Sequence, residues 1–133
     1  MPIRRQNLNK TPRFKKMYRI GYMFEKKTRA VITAILKGIN CLLFYTIESR
    51  GSKGKADIIV GLYNTNNGQR TWIGIQCKKG YISKAEQGRQ MHAALKENGM
   101  FMFFATHNAK TNLVDFNPGF KEYVIEWTTS SRR

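Results

Sequence analysis

Asp57, Gln76 and Lys78 stand on two neighbouring apolar runs and could act on one substrate. Asp57 opens Asp57-Ile58-Ile59-Val60-Gly61, and Gln76 and Lys78 close Trp72-Ile73-Gly74-Ile75-Gln76-Cys77-Lys78. Side chains alternate along a strand, so Gln76 and Lys78 face one way and Cys77 the other. Strands disfavour aspartate unless it has a partner. Hydrolysis of a phosphodiester needs a nucleophilic water and stabilisation of extra charge on the phosphoryl oxygens, and Mg²⁺ or Mn²⁺ supplies both. Such cations take oxygen ligands. Asp57 would be the fixed anionic ligand, with the Gln76 side-chain carbonyl and the Cys77 backbone carbonyl as neutral oxygens. Glu25, one of eight acids in the chain, would reach in from a helix, directly or through water. Lys78 would orient or help deprotonate the attacking water and steady the developing charge.

Each residue also has a plainer reading. Glu25 is followed by Lys26, Lys27 and Arg29 and could form a surface salt bridge. Asp57 could cap a turn, and Gln76 and Lys78 could face solvent on an edge strand. Cys41 and Cys77 lie in apolar segments without a CxxC or Cys/His cluster, which argues against zinc. They pack as small hydrophobes in an expected reducing, intracellular setting. His92 and His107 are not spaced as ligands with the other four.

The elements that must position these groups follow from hydrophobic periodicity. Ile20, Phe24, Val31, Ile35 and Leu36 predict a helix over 18–37, stopped by Gly38. Strands are expected over 41–47, 57–63 and 69–78, with Asn64-Thr65-Asn66-Asn67-Gly68 turning the last two into a hairpin. Ser83 should cap a helix reaching about residue 98, with Glu86 at the capping-box position and Gly99 as the stop. Strands follow over 100–106 and 113–116, and the alternation of Tyr123, Ile125 and Trp127 predicts a final strand over 120–127. The order α-β-β-β-α-β-β, with an antiparallel hairpin, implies an α/β fold: a mixed central β-sheet flanked by helices. Residues 1–16 read as a flexible basic arm, 17–129 as the single domain and 130–133 as a frayed tail.

Charge points to the partner. The 133 residues hold 24 Lys+Arg against 8 Asp+Glu, a net +16. That excess asks for a polyanion, most simply nucleic acid. A ribosomal-type or membrane-surface protein is the alternative, but no basic amphipathic helix with a wide aromatic face supports the membrane. No run is long enough to span a bilayer and no signal-peptide pattern opens the chain. Arg50, Lys53, Lys55, Lys79 and Lys84 fall in loops or element ends near Asp57, where a phosphate backbone would lie. Such contacts give affinity without sequence specificity. Tyr18, Tyr22 and Tyr81 could stack on bases or sit half-buried at the core edge.

The Asp57…Gln76-x-Lys78 arrangement, preceded by Gly21-Tyr22-Met23-Phe24-Glu25 and by the loop Ser49-Arg50-Gly51-Ser52-Lys53-Gly54, resembles the PD-(D/E)XK nuclease superfamily. Within it the chain is similar to archaeal and archaeal-virus Holliday junction resolvases over residues 18–106. The helix from Ser83, with Glu86, Gln87 and Gln90, resembles the helix that follows the lysine strand. The resemblance implies a restriction-endonuclease-like fold and an Mg²⁺-dependent homodimeric endonuclease acting on four-way DNA junctions in recombination and repair. It implies catalytic roles for Glu25, Asp57, Gln76 and Lys78. It also implies a role for Ser52, or Ser49, at the scissile region. Gln76 departs from the usual glutamate, and Ile75-Gln76-Cys77-Lys78 resembles the Gln-x-Lys version in Mrr-type restriction nucleases. Two further readings therefore stand beside the resolvase: a restriction- or repair-type nuclease on duplex, flap or single-stranded DNA, and a non-catalytic nucleic-acid-binding module on a nuclease fold.

Overall fold

In the computed structural model, which describes residues 12–48 and 56–130, the chain folds as α1 (Pro12–Lys37), β1 (Leu42–Glu48), β2 (Ile58–Asn64), β3 (Arg70–Lys78), α2 (Lys84–Asn98), β4 (Phe101–Asn108), β5 (Leu113–Asn117) and α3 (Phe120–Ser130). The five strands form one mixed sheet in sequence order. Only β3 and β4 are parallel, and α2 connects them. The other three pairs are antiparallel. The fold is thus α/β, a mixed sheet flanked by three helices.

β3 is central, so Ile73, Gly74 and Ile75 are all buried. On one face, Ile58, Val60, Ile73, Ile75 and Phe103 pack against Ile32 and Leu36 of α1 and Phe120 and Val124 of α3. On the other face, Met102 and Phe104 pack against Ala56, Ile82, Ala94 of α2 and Met100. The β1–β3 part of this second face carries exposed Leu43, Tyr45, Ile47 and Trp72.

The local chemistry at the element ends follows the sequence closely. Ser83 Oγ accepts the Glu86 amide, and Gly99 closes α2 at φ +65°. The Glu86 side chain turns instead to Gln90 and Arg89. Asn64 is fully buried in the β2–β3 turn, its Oδ1 accepting the Asn66 amide and its Nδ2 donating to the Thr128 carbonyl. Gly68 supplies the φ of +78° that lets the turn close.

Two expectations need correction. Residues 120–130 form a helix and not a strand. Phe120, Tyr123, Val124 and Trp127 recur at helical spacing against the sheet, and Ile125, placed on the same face by the strand reading, is 41% exposed. α1 also begins at Pro12, so residues 12–16 of the expected arm are helical, proline's fixed φ suiting a first turn. Residues 1–11 and 131–133 lie outside the described residues.

Candidate active site

The buried stripe of α1 is Phe24, Thr28, Ile32 and Leu36, at successive four-residue steps. This is one step around the helix from several residues of the periodic stripe read in the sequence. It lays Thr28, and beside it Glu25, over the end of β3. Arg29 fixes that end of the helix against β1. Its Nε donates to Thr46 Oγ1 (2.7 Å), one terminal nitrogen donates to the Thr46 carbonyl, and the other pairs with Glu48 at 3.3 Å.

Asp57 occupies the point where β2 parts from β3. The ladder begins at Ile58↔Ile75, and the Asp57 amide still donates to the Ile75 carbonyl at 2.9 Å. One residue further along β3, the Cys77 amide donates not to backbone but to Asp57 Oδ2, at 2.8 Å. A carboxylate thereby ends the ladder. Asp57 Oδ1 accepts no hydrogen bond among the described residues. Burial raises the pKa of Asp57 above the ordinary aspartate value, and the Cys77 amide opposes this by favouring the anion.

Cys77 points into the α1 side of the sheet, packed against the core. Burial first, and then the neighbouring Asp57 charge, push its thiol pKa far up, with Glu25 adding to the shift. Both carboxylates therefore act electrostatically on this thiol. Thr28 Oγ1 is buried there and makes no hydrogen bond of ordinary geometry. It lies against the Cys77 sulfur, a contact that opposes the rise of the thiol pKa and is a weak partner for a hydroxyl.

The structure therefore brings Asp57 to the Gln76-Cys77 peptide at the end of β3, with Glu25, next to Thr28 on α1, near enough to act on the Cys77 thiol. Alternation places half-buried Gln76 and exposed Lys78 on the α2 side, where their strand partners are Phe104 and Thr106. The set straddles the strand end rather than occupying one face. Lys79 and Lys84 are exposed just beyond it. Ser49, Arg50, Ser52, Lys53 and Lys55 lie outside the described residues. Thr28 is a site residue without a motif of its own in the sequence. A threonine amid an apolar stripe at four-residue spacing was its only signal.

Among the described residues, no three His, Cys, Asp or Glu side chains come together as a ready metal site. The donors at the strand end nevertheless suit a hard cation, which binds through one or two carboxylates while keeping several waters. Asp57 has an oxygen without a partner among the described residues, in a place where burial disfavours its charge, and Glu25 is the second carboxylate. No family model matches the chain, and neither a curated protein nor a solved structure is detectably similar to it.

Proposed function

We propose that the chain is a metal-dependent, structure-selective DNA endonuclease, acting as a Holliday junction resolvase on four-way or otherwise branched DNA. The observation that carries the reading is Asp57. It is a half-buried carboxylate at the parting of two strands, anchored through one oxygen by the Cys77 amide and raised in pKa by burial. A group placed where its own charge is penalised is stabilised by a cation.

Asp57 and Glu25 would hold Mg²⁺ or Mn²⁺, with the Gln76 amide oxygen and the Cys77 carbonyl as neutral donors. Bound there, the ion would activate water and offset charge on the phosphoryl oxygens. Anchoring by the Cys77 amide keeps Asp57 in one orientation, so little reorganisation is needed when the site loads. Lys78, at the strand end, orients the attacking water and steadies developing negative charge. Ser52, preceding Asp57 in the chain, completes the catalytic set of this reading. The +16 charge supplies backbone affinity through Arg50, Lys53, Lys55, Lys79 and Lys84.

A homodimer would set two sites on opposing strands of a junction. The uncovered apolar surface of Leu43, Tyr45, Ile47 and Trp72 supports a second copy packing there. No helix among the described residues is long and apolar enough to cross a membrane. The free thiols of Cys41 and Cys77 accord with work inside a cell, or inside a host cell for a viral protein.

A panel of labelled junction, duplex, flap and single-stranded DNA, with and without Mg²⁺, tests the proposal. Paired, Mg²⁺-dependent nicks in the junction, lost in Asp57→Asn and Lys78→Ala, are expected. Undiminished cleavage by Asp57→Asn refutes the site, and a strong preference for linear duplex moves the protein to restriction or repair. Gln76 favours a second reading, because glutamine brings no charge to the metal. If the parent binds DNA without cutting it and Gln76→Glu creates activity, the natural protein is a binding module.

A further inference from the structure

Past the end of β3 lies a pocket of about 300 Å³, between α1, Lys79 and the β4–β5 turn. Met23 and Phe24 line it, with Lys27, Lys79, His107 and Asn112 as its polar members. Lys27 Nζ donates to the Asn112 carbonyl at 2.7 Å and to its Oδ1 at 3.3 Å. His107 Nε2 lies 2.9 Å from the same Oδ1. An amide oxygen only accepts, so Nε2 carries a proton in this contact. Asn112 adopts the left-handed conformation, φ +62°, which asparagine tolerates better than most residues. One neutral side chain thus gathers a lysine and a histidine, and a second lysine stands at the rim. Neither lysine is ion-paired to a carboxylate among the described residues.

Lys27, held by a neutral side chain, and Lys79 at the rim leave positive charge without a carboxylate partner among the described residues, and this charge suits an anion. We propose that this pocket binds a backbone phosphate of the nucleic-acid strand adjoining the carboxylate site, with Lys27 and Lys79 as its ligands, while His107, its Nε2 proton given to Asn112 Oδ1, holds the Asn112 side chain that orients Lys27. The sugar of the same nucleotide would rest on Met23, which is 59% exposed. The proposal rests on the reading of this chain as a DNA-binding nuclease. It adds the position of the strand: from Asp57 along the end of β3 toward the β4–β5 turn, since Lys79 directly follows β3 and lines the pocket together with His107 and Asn112. Lys27 and Lys79 hold the bound strand, His107 positions Lys27 through Asn112, and none of them takes part in bond breaking.

The test is equilibrium binding of a fluorescent four-way junction and of a duplex in EDTA, where cleavage cannot contribute, across a salt series. Neutralising one phosphate contact changes the log–log salt slope by about 0.9. For Lys27→Gln/Lys79→Gln the slope should fall by about one contact and affinity by about tenfold. Lys27→Gln keeps a donor for the Asn112 carbonyl, and unchanged circular dichroism and melting temperature will exclude misfolding. Lys27→Arg should recover most of the affinity. The distant Lys96→Gln on α2 should leave the slope nearly unchanged. An equal loss in Lys96→Gln would mean that net charge alone matters, and would overturn the pocket. An unaltered slope in the double variant would overturn it as well. If the parent binds neither DNA, the nuclease reading itself fails, an outcome separate from these two.

Discussion

Gly61 and Gly74 sit on adjacent strands in the same face of the sheet, and both are buried, yet alanine should be tolerated at only one of them. A Cβ at Gly74 would lie 2.9 Å from Ala56 Cβ and 3.0 Å from Met100 Cε. Ala56 and Met100 are both buried, at 3% and 7% exposure, and Ala56 Cβ is fixed to the backbone that leads directly into Asp57. Relief therefore requires moving that backbone, and overpacking of this kind costs about 1–3 kcal/mol. A Cβ at Gly61 meets the Trp72 ring at a similar 3.0 Å. Trp72, however, is 45% exposed, so its ring can swing toward solvent at a cost under about 1 kcal/mol. For a chain of 133 residues the unfolding entropy is about 0.28 kcal/mol/K. Gly74→Ala should then lower the melting temperature by about 4–11 °C, and Gly61→Ala by less than about 4 °C. Thermal denaturation followed by circular dichroism reads both. Because the strained segment carries Asp57, Gly74→Ala should also weaken whatever Asp57 does, at temperatures where the variant is fully folded. Equal melting-temperature losses in the two variants would refute the claim that the mobility of the neighbour decides the cost.

Three further outcomes are expected. Burial raises the pKa of Asp57, so the folded chain holds this proton to higher pH than the unfolded chain. The group's contribution to stability is greatest in acid and is lost as pH rises through its folded-state value, so Asp57→Asn should gain on the parent in melting temperature as pH rises above the ordinary aspartate range. Added Mg²⁺ should reverse that gain by stabilising only the parent, and a difference that is flat with pH would contradict the burial argument. The Cys77 thiol, pushed up by burial and by Asp57, should resist iodoacetamide at neutral pH until the chain unfolds. Mass spectrometry will show this, and rapid labelling of folded protein would contradict the packing described. Asn64→Ala strands the Thr128 carbonyl and the Asn66 amide and should cost about 1–3 kcal/mol in urea denaturation. A loss within error would mean that water replaces both contacts.

The elements governed by local chemistry were legible in the sequence. The Asn64–Gly68 turn, the Ser83 cap and the Gly99 stop depend on groups a few residues apart, so spacing alone reveals them. The sheet strands were legible through their apolar runs and the alternation that sets Gln76 and Lys78 against Cys77. The last helix was not, because Tyr123, Ile125 and Trp127 alternate as a strand would. Only the sheet beneath them makes Phe120 and Val124 the buried pair.

The candidate site divides in the same way. Asp57, Gln76, Lys78 and Glu25 announced themselves by residue type and by the order of the elements that carry them. The tertiary structure alone decided that Asp57 Oδ2 takes the Cys77 amide, that Thr28 is buried against the Cys77 sulfur, and that Lys27 and His107 meet at Asn112. These contacts join residues 20 to 85 positions apart or lie between different elements. The chain determines such meetings only by packing α1 across the ends of β3 and β4, which no local periodicity encodes.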